Sequence, residues 1–178
     1  MTNIVLIGFM GCGKTTFGKW LADRQQMDFV DTDELIEKIE NMPVTDIFEK
    51  KGEGYFRSLE TKVLRMFLGE EQDSRENLRI YKSTVISVGG GLPLREENRR
   101  LLHRLGKVIF LDTSVDELVR RLDRDETRPL LKGGALRERI ERLMDERIDI
   151  YDDTADIIVT TDNHTLNEVF DEIMKEWE

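Results

Sequence analysis

Residues 8–15 read Gly8-Phe9-Met10-Gly11-Cys12-Gly13-Lys14-Thr15, the G-x-x-x-x-G-K-[ST] spacing of a phosphate-binding loop. An apolar run, Ile4-Val5-Leu6-Ile7, precedes it, and a helical pattern follows. In that strand-loop-helix setting, backbone N–H groups along Gly11 to Thr16 can cradle phosphate oxygens. Lys14 can reach the β- and γ-phosphates, the Thr15 hydroxyl can meet Mg²⁺, and the helix adds its positive dipole end. A glycine-rich turn without a ligand is the bland alternative. Cys12, the single cysteine of the chain, reads as a small side chain at a variable loop position, and no intrachain disulfide can form.

Further along stand Asp31-Thr32-Asp33, at the end of the run Phe29-Val30. Ligands of parallel sheets gather at the carboxyl ends of strands. In an extended stretch residues i and i+2 point the same way, so Asp31 and Asp33 can both face the loop. Two carboxylates beside a triphosphate need a cation or a proton between them. One then serves Mg²⁺ and the other an acceptor hydroxyl. The competing reading is an acidic helix start, with Asp31 or Thr32 as cap. Asp112 also ends an apolar run, but Asp112-Thr113-Ser114 precedes a helical pattern and reads as a cap.

Arg57 and Glu60 lie three apart on a helical stretch, which by itself suggests an ordinary surface ion pair. Gly89-Gly90-Gly91 follow an apolar run and allow backbone N–H groups to approach a ligand. Arg147 falls inside the apolar stripe Leu136, Ile140, Leu143, Met144 and Tyr151. A guanidinium placed there needs an anion. That anion is either an internal carboxylate such as Glu60 or a substrate carboxylate held bidentately. Arg120, Arg121, Arg124 and Arg128, followed by Pro129 and a glycine pair at 133–134, suit either a closing lid over about 123–134 or a solvated helix face.

These residues need elements to position them. Apolar runs at 3–7, 28–31, 84–88, 107–111 and 156–159 read as buried parallel strands. Helical patterns fall at 14–25, 32–40, 43–50, 53–68, 94–104, 114–123, 135–151 and 165–177. Strands alternating with helices give an α/β fold around a parallel sheet. With 178 residues and no linker or repeat, one domain over 1–178 is expected. The formal net charge of −10 argues against nucleic acid as a partner. No apolar run nears the ~20 residues of a membrane span, and no leader peptide is evident. The expectation is a soluble, cytoplasmic protein with no membrane partner. No exposed apolar stripe demands a second copy, so a monomer is expected.

Taken in order, GFMGCGKTT at 8–16, DTD at 31–33, IFEKKGEGYFRSLE at 47–60, GGG at 89–91, RPLL at 128–131 and the Arg147–Tyr151 segment resemble the shikimate kinase family. The resemblance runs from about residue 4 to about 160. It implies a three-layer P-loop NTPase of the nucleoside-monophosphate-kinase type. Its five-stranded parallel sheet would have order 2-3-1-4-5, with helices on both faces, a mobile lid and an acceptor-binding helical region over about 32–68. It further implies transfer of the ATP γ-phosphoryl group to the 3-hydroxyl of shikimate, with Mg²⁺ as cofactor. Lys14, Asp33 and Arg128 are then the expected catalytic residues. Nucleotide would lie on Gly11, Cys12, Gly13, Lys14, Thr15, Thr16, Arg121 and Arg128. Shikimate would meet Asp33, Arg57, Gly89, Gly90, Gly91 and Arg147, and Mg²⁺ would sit beside Thr15 and Asp31. Segment 69–83 looks longer than is usual for the family and bears none of these motifs. Rival readings are a gluconate-type or nucleotide kinase, or a nucleotide-binding regulatory module without catalysis.

Overall fold

Strand β1 (Asn3–Ile7) is buried from Ile4 to Ile7, which requires cover on both faces of the sheet. The structure, a computed structural model, describes residues 3–73, 83–123 and 135–177. β1 lies at the centre of a five-stranded sheet of order β2-β3-β1-β4-β5, with β2 (Asp28–Asp31), β3 (Thr84–Ser87), β4 (Gly106–Asp112) and β5 (Ile157–Thr160). Every pairing is parallel. Uninterrupted apolar strands and a two-sided core thus agree. β5 departs from the pattern. It alternates, with Ile157 and Val159 buried and Ile158 exposed, as an edge strand with one open face does.

Helices α1 (Lys14–Gln25), α2 (Thr32–Glu40), α3 (Val44–Lys51) and α4 (Glu53–Phe67) come before β3, with β2 between α1 and α2. A short 3₁₀ turn (Leu92–Leu94), α5 (Glu96–Leu105) and α6 (Val115–Leu122) follow. On α4 the expected stripe of Phe56, Leu59, Val63, Leu64 and Phe67 is buried throughout. Trp20 stacks on Phe17 at 5.8 Å and meets Phe170 of α9 (Leu166–Lys175) edge-on at 6.0 Å. Among the described residues no helix is long and apolar enough to cross a membrane.

One helix differs from expectation. The stretch 135–151 divides into α7 (Leu136–Asp145) and α8 (Ile148–Thr154). Arg147 caps α8 with φ −122° and ψ −24°. Its N–H closes a tight turn onto Met144 O at 2.9 Å. The break re-aims Tyr151, whose hydroxyl donates to Gly90 O at 2.6 Å. The apolar periodicity runs unbroken across this junction, so it did not mark the kink.

The chain leaves β1 towards β2, returns through β3, and then crosses β1 to reach β4. The loops at the carboxyl ends of β1 and β3 diverge at this reversal, where open α/β sheets hold their ligands. A cavity of about 770 Å³ opens there, lined among others by Lys14, Thr15, Asp31, Asp33, Ser87 and Arg121. The expected lid over 123–134 lies almost wholly outside the described residues, with Arg124 and Arg128. Most of segment 69–83 lies outside them as well.

Candidate active site

The loop after β1 turns on glycines. Gly11 has φ +82°, and a Cβ there would stand 2.9 Å from the Leu122 side chain. Gly13 caps α1 at φ +102°, a backbone state that side chains resist. The loop therefore presents amides and the α1 N-terminus to the cavity. Lys14 is buried, and its ammonium donates to Gly8 O at 2.9 Å and Phe9 O at 3.0 Å, spanning its own loop. Arg121 donates to Cys12 O at 3.0 Å, and Glu117 accepts from its Nε at 2.6 Å. A cation from α6 is thus fixed on the rim of the loop. Cys12 is buried, in keeping with a packing role, while Thr16 is exposed and lines the cavity.

Asp31 joins the loop to the sheet. Its Oδ2 accepts from Thr15 Oγ1 at 2.8 Å and from Ser87 Oγ at 2.9 Å. Its Oδ1 accepts from the N–H groups of Asp33 at 3.0 Å and Glu34 at 3.5 Å. Asp31 is therefore both cap and site residue, and the two readings left open by the sequence hold together. The extended geometry expected across 31–33 does not hold, because helix α2 begins at Thr32. Asp33 still lines the cavity from the first turn of α2. At the rival position, Ser114 makes the cap of α6, while Asp112 ends β4 and is raised above the usual carboxylate range by burial and by Asp152 and Asp162.

A smaller recess adjoins the main cavity and is lined by Asp33, Phe48, Phe56, Arg57, Glu60 and Gly89 to Gly91. Here a side chain at Gly89 or Gly91 would displace its neighbours. A Cβ on Gly89 would lie 2.7 Å from Asp33 Oδ1 and 2.8 Å from Glu60 Oε1, and one on Gly91 would lie 2.4 Å from Arg57 Cζ. Arg57 and Glu60 are no surface pair. The Glu60 side chain is fully buried and that of Arg57 is 11 % exposed, with Nη1 within 3.0 Å of both Glu60 oxygens. Glu53, at i−4, takes the other edge of the guanidinium at 2.9 Å. Burial pushes the Glu60 carboxyl up to about 7 against the opposing pull of Arg57, and the charge of Asp33 adds to the rise.

Arg147 is 3 % exposed, with its guanidinium 5.7 Å from the Phe9 ring. Its Nε and Nη1 are buried without hydrogen-bond partners among the described residues. The internal pairing with Glu60 therefore does not occur, since Glu60 is engaged by Arg57. Burial raises the Tyr151 hydroxyl to about 12, and the charges of Arg147 and Arg57 both oppose that rise. The two arginines thus share a neighbourhood, Arg57 against Gly91 and Arg147 beside the tyrosine bonded to Gly90.

The structure gathers Lys14, Thr15, Asp31, Asp33, Arg57, Gly89 to Gly91 and Arg121 around two adjoining hollows, with Arg147 buried next to them. Arg128 lies outside the described residues. Sequence reasoning missed Ser87 and Glu53. The signal for Ser87 was a hydroxyl ending the apolar run Thr84–Ser87. The signal for Glu53 was its i,i+4 spacing to Arg57.

The family model described as SKI, shikimate kinase, matches residues 10–178. A shikimate kinase of Sulfurihydrogenibium sp. is 41 % identical over 174 residues, which cover 98 % of this chain and 96 % of that one. The solved shikimate kinase from Acinetobacter baumannii, in complex with shikimate, is similar with a TM-score of 0.87 at 32 % identity. That match covers 98 % of this chain and 92 % of the other. The enzyme from Aquifex aeolicus matches with a TM-score of 0.79 at 37 % identity, over 99 % and 96 % of the two chains. The sheet order and the phosphate loop are those of the P-loop fold of nucleoside-monophosphate-kinase type that these structures share. The chain belongs to the shikimate kinase family, whose members use ATP, and is an enzyme with shikimate kinase activity in the shikimate pathway.

Proposed function

We propose that the chain moves the γ-phosphoryl group of ATP to the 3-hydroxyl of shikimate, giving shikimate 3-phosphate and ADP. The observation that carries the acceptor half is Arg147, a buried guanidinium with unmatched donors beside Tyr151, the residue bonded to Gly90. Such a group is costly without an anion, and a planar carboxylate fits its fork. Arg57 supplies the second guanidinium of the clamp, from the recess that Asp33 also lines. The similar Acinetobacter baumannii enzyme was solved with shikimate bound, which supports the same acceptor here.

In this reading the loop amides from Gly11 to Thr16, with Lys14, take the phosphates, Arg121 lies at the nucleotide rim, and Arg128 closes from the lid. Lys14 exchanges the carbonyls of Gly8 and Phe9 for the β- and γ-phosphate oxygens. Asp33 holds the acceptor hydroxyl and takes its proton. The transition state of phosphoryl transfer is loose, so positioning and charge neutralisation matter more than a strong base.

The donors beside the phosphate loop fit Mg²⁺. The Thr15 hydroxyl and the Asp31 carboxylate are hard oxygen groups, already hydrogen-bonded to each other. Among the described residues no cluster of three or more histidine, cysteine or acidic side chains is arranged for a metal. A cation held mainly by phosphate oxygens and water needs none. When bound, Mg²⁺ would neutralise charge on the transferring phosphate.

We take residues 1–178 as a single kinase domain. We place the enzyme in the cytoplasm, with the ATP and shikimate it consumes. We take it as a monomer, since the exposed large apolar residues among those described, Tyr55, Ile158 and Met174, are few and scattered along the chain. The test is coupled ADP release with shikimate, gluconate, nucleoside monophosphates or no acceptor. Shikimate-dependent turnover supports the reading. Equal turnover with gluconate, or none with any acceptor, overturns it.

A further inference from the structure

The parallel register sets Ser87 of β3 directly beside Asp31 of β2. Ser87 is 1 % exposed, yet its hydroxyl is turned to Asp31 Oδ2, the oxygen that also accepts from Thr15. The opposite oxygen is tied to two amides at the start of α2. The carboxylate is therefore fixed at both ends, by the helix on one side and by the strand on the other. With the amide end alone, it could pivot about Oδ1 and carry the Thr15 proton with it.

We propose that Ser87 is a positioning residue for the divalent cation. It holds Asp31 so that the Thr15 hydroxyl keeps donating to Oδ2 and its lone pairs stay turned to the phosphate side. The inference rests on the reading of Thr15 and Asp31 as the Mg²⁺ side of the site. Thr15 sits at the loop and Ser87 on the sheet, so the single carboxylate oxygen between them transmits the rigidity of the core to the cation position. Removing the Ser87 hydroxyl leaves the phosphate loop itself intact. Its effect is confined to the cation-dependent part of nucleotide binding.

The experiment is calorimetric titration of ADP into the full chain, once with MgCl₂ and once with EDTA. Wild type, Ser87→Ala and Ser87→Cys are compared. Ser87→Ala is expected to keep the EDTA affinity within about twofold and to lose about tenfold in Mg²⁺, the scale of one hydrogen bond to a charged group. Ser87→Cys keeps the bulk with a weak donor and is expected to follow Ser87→Ala. The unchanged EDTA affinity also certifies that each variant is folded. An undiminished Mg²⁺ gain in Ser87→Ala overturns the proposal, as does an equal loss with and without Mg²⁺. A wild type that binds ADP equally in both buffers overturns the cation reading itself and the role of Ser87 with it, and the wild-type titration alone identifies that case.

Discussion

Replacing Arg147 by methionine should move stability and substrate affinity in opposite directions. The guanidinium is 3 % exposed and leaves Nε and Nη1 unmatched, so the substrate-free fold carries its desolvation without full compensation. Replacing buried ionic groups by apolar ones is often neutral or gains about 1–4 kcal/mol, and a guanidinium with unmatched donors belongs at the gaining end. The lost contact with the Phe9 ring, 5.7 Å away, takes back roughly 0.5–2 kcal/mol. Methionine is shorter, but it is unbranched and apolar and can place its sulfur against that ring. The net expectation is a gain of about 1 kcal/mol, or roughly 2–4 °C in Tm for a chain of this size. The substrate carboxylate, in contrast, loses a buried charged partner, at about 2–5 kcal/mol. That corresponds to a thirtyfold to several-thousandfold loss of shikimate affinity. Urea unfolding gives the first quantity, and titration with shikimate and ADP gives the second. ADP affinity should stay within about twofold of wild type, since Arg147 does not line the nucleotide cavity. A variant that unfolds more easily yet binds shikimate normally would show that Arg147 is a packing residue and refute the carboxylate clamp.

Three further substitutions test the neighbouring groups. Asp33→Asn should lower kcat by about a hundredfold or more, the range of a positioned base, with ADP affinity kept; an unchanged kcat removes Asp33 from proton transfer. Gly91→Ala needs no unusual backbone, since φ there is −89°. Its Cβ would meet Arg57 at 2.4 Å, so KM for shikimate should rise while KM for ATP stays, and steady-state kinetics decide. Glu60 supplies a pH signature. Its carboxyl stands at about 7 in the fold against 4.5 as the ordinary value, so between those values the folded state holds a proton that the unfolded chain has released. Stability should therefore fall as pH rises through that window, by up to about 3 kcal/mol. Glu60→Gln should flatten this part of the profile, and parallel stability–pH curves for the two proteins would disprove the assignment.

Much of this arrangement could be read from the chain because its causes are local. The phosphate loop, the apolar strands and the α4 stripe follow from spacing alone. The five strands begin and end within two residues of the sequence expectation. Other features depend on parts of the chain far apart in sequence. Arg57 and Glu60 look like an exposed helical pair until α4 packs among α2, α3 and α5 and takes both out of solvent. Ser87 meets Asp31 through strand register, across 56 residues of sequence separation, which periodicity does not encode. The division of α7 from α8 at Arg147 goes with the tether of Tyr151 to Gly90, a contact across 61 residues that local periodicity does not encode. Arg147 itself was legible as a misplaced cation, because an apolar stripe makes a guanidinium conspicuous whichever way the helix bends.

The resting place of Lys14 has an effect on ligand discrimination. Its ammonium is solvated by two peptide oxygens of the very loop it serves, so no dehydrated charge waits in the hollow. An incoming ligand must displace neutral dipoles, and only a group of high charge density does so decisively. Monoanions gain little from that exchange, whereas a polyphosphate chain gains at each replaced carbonyl. Discrimination of a polyphosphate chain from chloride and other monoanions thereby starts before any base or sugar is recognised.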